Sequence, residues 1–302
     1  MLSSLDGRDR NSHQNSETLA WLDRSLYPFE RRTFELDGHR LSYVDEGAGS
    51  PVLFVHGTPT WSFLWREQLR ALAGEHRVLA LDNLGFGLSD KPPHADYTPA
   101  AHARRLEAFV AHLGLTDLTL VVHDYGGPIG LSYALRHPRD VPRLLITNTW
   151  MWSNAGDRRV ESAGRLFGGP FGRLLYTRLN LSPRVLLPNV FADRSKLTPQ
   201  LHRHYLAPFA TPDERVAPWV LARELLASND WYASLWEQRG ALAHARTTLL
   251  WGMKDPLMPA AYLARWREAL PHARVIEAHD SSHFTPEEAA GTVTEAIRGL
   301  FE

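Results

Sequence analysis

The 302-residue chain contains no cysteine, which excludes a disulfide framework, a thiolate nucleophile and a cysteine-ligated metal site. It has no apolar run approaching the about 18 residues that a membrane-crossing helix requires. It also lacks an excess of either charge. With a formal net charge of -1 and the signs mixed along the chain, neither nucleic acid nor an anionic membrane is expected as a partner. Internal repeats and low-complexity segments are absent. The first twenty residues are too polar for a secretory signal, so a cytoplasmic protein is expected. No metal or cofactor motif appears, and neither is expected.

What is present suits a globular enzyme. Apolar residues make up 44% and charged residues 22% of the chain, enough apolar material for a sizeable core and unlike a disordered composition. The length is compatible with one α/β core carrying an insertion. Nearly all basic residues are arginine, which reads as a compositional bias without functional content.

Residues 1–26 read as a polar leader. From Arg31 onward the pattern is β-rich: Arg32 to Leu36 and His39 to Asp45 flank the Asp37-Gly38 turn, a strong hairpin signal. The run Pro51-Val52-Leu53-Phe54-Val55 is continuously apolar, as in a strand buried on both faces. Strands at Arg77–Leu81, Leu118–Val122 and Arg143–Asn148 then alternate with helices near Trp61–Ala73, Pro99–Leu113 and Gly127–His137. This alternation specifies βαβ units with right-handed crossovers and a mostly parallel sheet. Between about Trp150 and Ala241 the strand rhythm gives way to helical stretches punctuated by proline, read as an inserted cap over 151–241. Strands resume at Thr247–Trp251 and Arg274–Ala278, and a helix from about Pro286 ends the chain. The predicted class is α/β, with an eight-stranded sheet covered by helices on both faces and a core of 27–150 and 242–302.

Four elements carry chemistry. Asp124 follows a buried strand and precedes Gly126-Gly127, a context that forces a sharp turn and exposes its side chain at the carboxyl end of the sheet. A serine there attacks acyl carbon, whereas a carboxylate is already ionised and can displace a leaving group from saturated carbon. Its competing role is a helix N-cap. His56-Gly57-Thr58-Pro59 follows the preceding buried strand, so the amides of Thr58 and Tyr125 are placed to form an oxyanion hole. His283 lies after the last strand, where a general base is expected, and Asp255, past the strand ending at Trp251, can accept the other imidazole N–H. Its competing role is an Asx turn before Pro256. The position after the strand ending near Asn148 offers no rival carboxylate. The resulting order is nucleophile, acid, base, as in α/β-hydrolases. The cap aromatics, among them Trp150, Trp152, Tyr205, Trp231 and Tyr232, are candidates for lining an apolar substrate or leaving-group pocket, with Tyr176 a further candidate.

The stretches His56–Arg66, Leu81–Pro92, His123–Gly127, Tyr205–Pro212 and Trp251–Asp255 resemble haloalkane dehalogenases, and the likeness runs from about residue 25 to the end. The resemblance implies that Asp124 displaces halide from a small apolar organic substrate. Water activated by His283 then hydrolyses the alkyl-aspartyl ester, without any cofactor. Two positions depart from the family pattern: Tyr125 stands where tryptophan usually donates to the halide, and Thr58 where a longer polar side chain commonly does. Epoxide hydrolysis with Tyr232 protonating the oxygen, β-lactone or ester cleavage on the same nucleophile, and a non-catalytic small-molecule receptor therefore stay open.

Overall fold

A computed structural model describes residues 19–302. Eight strands form one sheet: β1 (Arg32–Leu36), β2 (His39–Glu46), β3 (Pro51–Val55), β4 (Arg77–Leu81), β5 (Thr119–His123), β6 (Arg143–Thr147), β7 (Arg246–Gly252) and β8 (Arg274–Ala278). Their order is β1-β2-β4-β3-β5-β6-β7-β8. β1 and β2 pair antiparallel, as does β2 with β4, and every remaining pair is parallel.

The hairpin turns at Asp37 and Gly38, both with positive φ (52° and 76°), as a two-residue turn matched to strand twist requires. The central strands are buried on both faces, and alternate residues enter opposite cores. Leu53, Val55, Leu120, Val122, Leu144 and Ile146 pack on one side; Val52, Phe54, Val121 and Leu145 pack on the other. Each such side chain stabilises the fold by roughly 1.5–3 kcal/mol through removal from water.

Before β6 lie α1 (Arg66–Leu72), α2 (Pro99–His112) and α3 (Gly126–Arg136). Between β6 and β7 come α4 (Arg158–Gly168), α5 (Pro170–Leu179), α6 (Leu187–Asn189), α7 (Pro199–Leu206), α8 (Val216–Ala227) and α9 (Asn229–Glu237). α10 (Ala260–Ala269), α11 (Thr285–Glu288) and α12 (Ala290–Arg298) complete the chain. Between β7 and β8, where the sequence pattern marks no helix, the parallel pair needs a crossover and α10 supplies it. The single helix expected across Trp61–Ala73 begins instead as a 3₁₀ turn, Ser62–Trp65, that leads into α1. The terminal helix is broken at Ala289 (φ -134°), which separates α11 from α12.

Of the leader read over 1–26, residues 1–18 lie outside the described residues. The remainder is packed down: Leu22 is buried, Trp21 meets Trp61 edge-on, and the Asp23 amide donates to His204 Nε2. Among the described residues, no helix is long and apolar enough to cross a membrane.

Strand register decides what meets what. Val55 pairs with Val122, His123 with Thr147, and Gly252 with Ala278. The carboxyl ends of β3, β5, β6, β7 and β8 are thus gathered at one edge, where the loops carrying Thr58, Asp124, Asn148, Asp255 and His283 emerge.

Candidate active site

Asp124 sits at the β5–α3 turn with φ 52°, a left-handed conformation that costs an ordinary residue energy and persists only where its surroundings enforce it. Three of those constraints are glycines. A Cβ on Gly126 would stand 2.0 Å from the Val55 carbonyl oxygen, one on Gly127 1.8 Å from Thr149 Oγ1, and one on Gly57 2.0 Å from Asp124 Oδ1. Thr149 Oγ1 donates to the Asp124 carbonyl at 2.5 Å, and the Gly127 amide donates to the same oxygen at 2.9 Å. The turn is therefore fixed by close backbone approach, and the carboxylate is left to face the strand edge.

Its two oxygens have different surroundings. Oδ1 accepts the Thr58 amide at 2.8 Å. Oδ2 lies 3.6 Å from His283 Nε2, too far for a good hydrogen bond. The Thr58 loop is braced by His56, whose Nδ1 donates to the Gly57 carbonyl (2.7 Å) and whose Nε2 accepts the Asn83 amide (2.9 Å).

His283 Nδ1 donates to Asp255 Oδ2 at 2.8 Å. Both readings of Asp255 hold together: Oδ1 accepts the amides of Leu257 (2.7 Å) and Met258 (3.1 Å) as an Asx turn, while Oδ2 faces the imidazole. Burial works against the Asp255 charge, but His283 and these donors outweigh it and hold the carboxyl below its usual range. Burial also disfavours a charged His283, yet Asp255 and Asp124 together push the imidazole up to about 10. The two flanking acids thus favour the protonated form of the imidazole against its burial.

Three supporting residues were not singled out by their sequence context. Asn148, at φ 38°, donates from Nδ2 to Asp255 Oδ2 (2.8 Å) and accepts the Gly252 amide at Oδ1 (2.9 Å). It tied the β6 end to the acid, although the sequence marked it only as lacking a carboxylate. His123 is buried, with its imidazole pushed down to about 4 by desolvation and then by His283; neutral, it donates from Nε2 to the His283 carbonyl at 2.8 Å. Glu288 accepts the amides of Ser282 (2.9 Å) and Ala192 (2.7 Å), anchoring the His283 loop to the helical insert. The signal available for His123 was its place immediately before the elbow and for Asn148 its place at the end of β6; Glu288 had none.

A cavity of about 320 Å³ opens above Asp124, with Thr58, Tyr125 and His283 around the carboxylate and Trp150, Phe167, Tyr176 and Leu187 among its walls. Such an apolar cleft with few convergent polar groups is the expected form of a small-molecule site. Of the five aromatics expected there, Trp150 lines it and four do not. Trp152 packs among Trp236, Tyr262 and Trp266. The Tyr205 hydroxyl bonds Glu287, within the buried Arg66–Glu287 ion pair. Tyr232 donates to the Glu224 carbonyl at 3.2 Å, and Trp231 packs behind it. The two tyrosine hydroxyls found partners within the protein fabric, as buried hydroxyl groups generally must. Tyr125 behaves the same way, its hydroxyl donating to the Leu221 carbonyl at 2.5 Å.

Several donors of cavity-lining residues, the Ser182 hydroxyl among them, stay without a partner among the described residues. Trp150 Nε1 and Thr58 Oγ1 are buried and unbonded. The Tyr176 hydroxyl makes no hydrogen bond, and its ionisation is pushed up by burial and by the nearby Asp124 charge.

Comparison with known proteins matches residues 50–290 to the alpha/beta hydrolase fold. A haloalkane dehalogenase of Mycobacterium tuberculosis (strain ATCC 25618 / H37Rv) is 34% identical over 277 residues, 91% of this chain and 96% of the relative. A cis-3-alkyl-4-alkyloxetan-2-one decarboxylase of Shewanella oneidensis is 32% identical over 283 residues, 91% of this chain and 89% of that one. The crystal structure of a haloalkane dehalogenase from Agrobacterium tumefaciens C58 superposes with a TM-score of 0.81 at 27% identity, covering 90% of this chain and 96% of that one. With an eight-stranded, mostly parallel sheet, an aspartate at the strand–helix elbow and this likeness along nine-tenths of its length, the chain belongs to the α/β-hydrolase family as a haloalkane dehalogenase-like member.

Proposed function

We propose that the protein is a hydrolase that breaks carbon–leaving-group bonds through a covalent alkyl-aspartyl ester, with haloalkanes giving alcohol and halide as its reaction. The observation that carries this reading is the asymmetric setting of Asp124 under an apolar cavity. Oδ1 is engaged by the Thr58 amide, so Oδ2 is the free nucleophile, and it points to the same space as His283. Attack of Oδ2 on the substrate carbon expels halide and leaves Oδ1 as the ester carbonyl oxygen in the hole formed by the Thr58 and Tyr125 amides.

Ester formation also switches the base on. His283 is held protonated partly by the charge of Asp124. Alkylation removes that charge, so the imidazolium releases its proton to solvent as the halide leaves, and the neutral Nε2 can then take a proton from water. Asp255 keeps Nδ1 as the protonated nitrogen, and the oxyanion formed when water attacks develops on Oδ1. Halide in so apolar a site needs donors. Trp150 Nε1 and the Thr58 hydroxyl are the unbonded groups that supply them, in place of Tyr125. The helical segment 151–241 acts as the cap over the core of 27–150 and 242–302, and the substrate is a small apolar organic molecule.

A second reading is favoured by the free Tyr176 hydroxyl. A β-lactone opened at its alkyl carbon by Asp124 releases a carboxylate, which is larger than halide, and the Trp150, Thr58 and Tyr176 donors together suit two oxygens. The decarboxylase relatives act, by name, on such oxetan-2-ones. Epoxide opening would fall to the Tyr176 hydroxyl, because Tyr232 is committed to the Glu224 carbonyl.

The test is a His283→Phe variant incubated with 1-chloro- and 1-bromoalkanes, epoxides and a cis-dialkyl β-lactone, followed by peptide mass spectrometry of the segment containing Asp124. An alkyl adduct supports dehalogenation, and a carboxyalkyl adduct supports the lactone reading. No adduct, with ligand still bound, indicates the receptor and overturns both.

A further inference from the structure

Among the described residues six large apolar side chains are exposed: Leu166, Phe171, Leu174, Leu179, Val185 and Leu257. Five fall within twenty residues of one another, and the sixth, Leu257, lines the cavity. They are not scattered singly, the ordinary state of surface apolar groups. On α5, Phe171, Leu174 and Arg178 follow the i, i+3, i+7 spacing of one helical face. α4 and α5 pack on each other and both rest on α8, so their outward sides face away from the core together.

The charge of this segment is as unusual as its apolar content. Between residues 158 and 189 there are six arginines, at 158, 159, 165, 173, 178 and 184, and one acid, Glu161. All six arginines are exposed. The segment carries +5 within a chain whose total is -1, so the remainder carries -6. Arg159 pairs with Asp157 and Arg165 with Glu161. Arg158, Arg173, Arg178 and Arg184 have no ion-pair partner among the described residues. A near-neutral total thus conceals a cationic segment, bordered at Arg173 and Arg178 by Asp213.

We infer that the outward face of α4, α5 and the turn Ser182–Leu186 docks on an anionic phospholipid bilayer, with its apolar side chains in the interface and its arginines at the headgroups. Exposed apolar groups ringed by arginine have the composition of interfacial helices that lie on, and do not cross, a membrane, and unpaired arginines supply attraction to anionic lipid. The location gives the contact a use. The inward sides of the same segment, through Phe167, Tyr176, Leu186 and Leu187, line the cavity, so an apolar substrate dissolved in the bilayer would enter without crossing water. That use rests on the apolar-substrate reading above; the docking does not.

Vesicle co-sedimentation of the full chain tests it, with 30% phosphatidylglycerol in phosphatidylcholine against phosphatidylcholine alone, at low salt. Binding to the anionic vesicles, weakened by 0.5 M salt, is expected. Arg178→Gln with Arg184→Gln should lower partitioning by about 25-fold, roughly fivefold per arginine. Phe171→Ser should lower it as well. These variants should melt like the parent and turn over a short water-soluble substrate unchanged, and Asp124→Asn should bind vesicles fully, which separates docking from the catalytic reading. A chain that stays in the supernatant, or variants that sediment like the parent, overturns the inference. So does a concentration-dependent dimer, seen by light scattering and abolished by Phe171→Ser, without vesicle binding.

Discussion

Replacing Trp150 with Phe isolates the leaving-group donor. The side chain is 1% exposed, and its ring meets Tyr125 at 4.8 Å and Tyr232 at 5.7 Å between centroids, both edge-on. Phenylalanine preserves an aromatic ring at those contacts while deleting the N–H. In the resting protein that N–H is buried without a partner, so its removal sacrifices no hydrogen bond. A penalty of about 1–3 kcal/mol for an unsatisfied buried donor is relieved. The void left by the smaller ring offsets this by a comparable amount, about 24 cal/mol per Å³. Stability should therefore change little. Catalysis should change much, because loss of one preorganised donor to developing negative charge slows a step by about 10²–10³-fold, or about 2.7–4 kcal/mol. The loss should be larger for chloride than for iodide, whose diffuse charge depends less on hydrogen bonds. The assay is single-turnover halide release from matched 1-chloro- and 1-iodoalkanes, with thermal unfolding as the control. Chloride release at the parent rate from a folded Trp150→Phe variant would falsify the assignment of Trp150 as the donor.

Three further outcomes follow from the same geometry. Asn148→Ala removes a donor from Asp255 and an acceptor from the Gly252 amide; it should cost about 1–3 kcal/mol in denaturant unfolding and slow ester hydrolysis more than halide release in rapid-quench experiments. Gly127→Ala places a methyl 1.8 Å from Thr149 Oγ1, so the elbow must move; expression of folded protein should drop, and any soluble fraction should lack the Asp124 adduct. The third concerns pH. The folded pKa of His283 is raised from 6.5 to about 10, so the folded state binds the proton more tightly. Its contribution to stability is complete below pH 6.5 and is lost as pH rises through 10. Unfolding free energy should fall across that window, and His283→Phe should flatten the fall. An equally steep decline in the variant would assign the effect to another group.

How much of this was readable in advance depends on distance along the chain. Asp124 and its glycines form one strand–turn–helix unit, and local backbone demands leave few residue types possible there, so the elbow was visible as a string of letters. The sheet was visible for a similar reason, since strands buried on both faces must be continuously apolar. Contacts made across the fold leave no such trace. Asn148 and Asp255 are separated by 107 positions and His123 and His283 by 160, and they meet only because parallel register brings the strand ends level. The aromatic residues show the limit most clearly. Composition placed many of them in one inserted segment, but whether a ring faces the cavity depends on helix packing, and whether its polar tip is free depends on which carbonyl lies nearby. Tyr125, Tyr205 and Tyr232 found partners inside the protein; Trp150, Thr58 and Tyr176 did not. Sequence by itself determined the fold class and the aspartate at the elbow, because short-range sterics and hydrophobic periodicity are local. Tertiary structure alone decided which groups remain free to hold a leaving group, because that depends on residues that only folding makes neighbours.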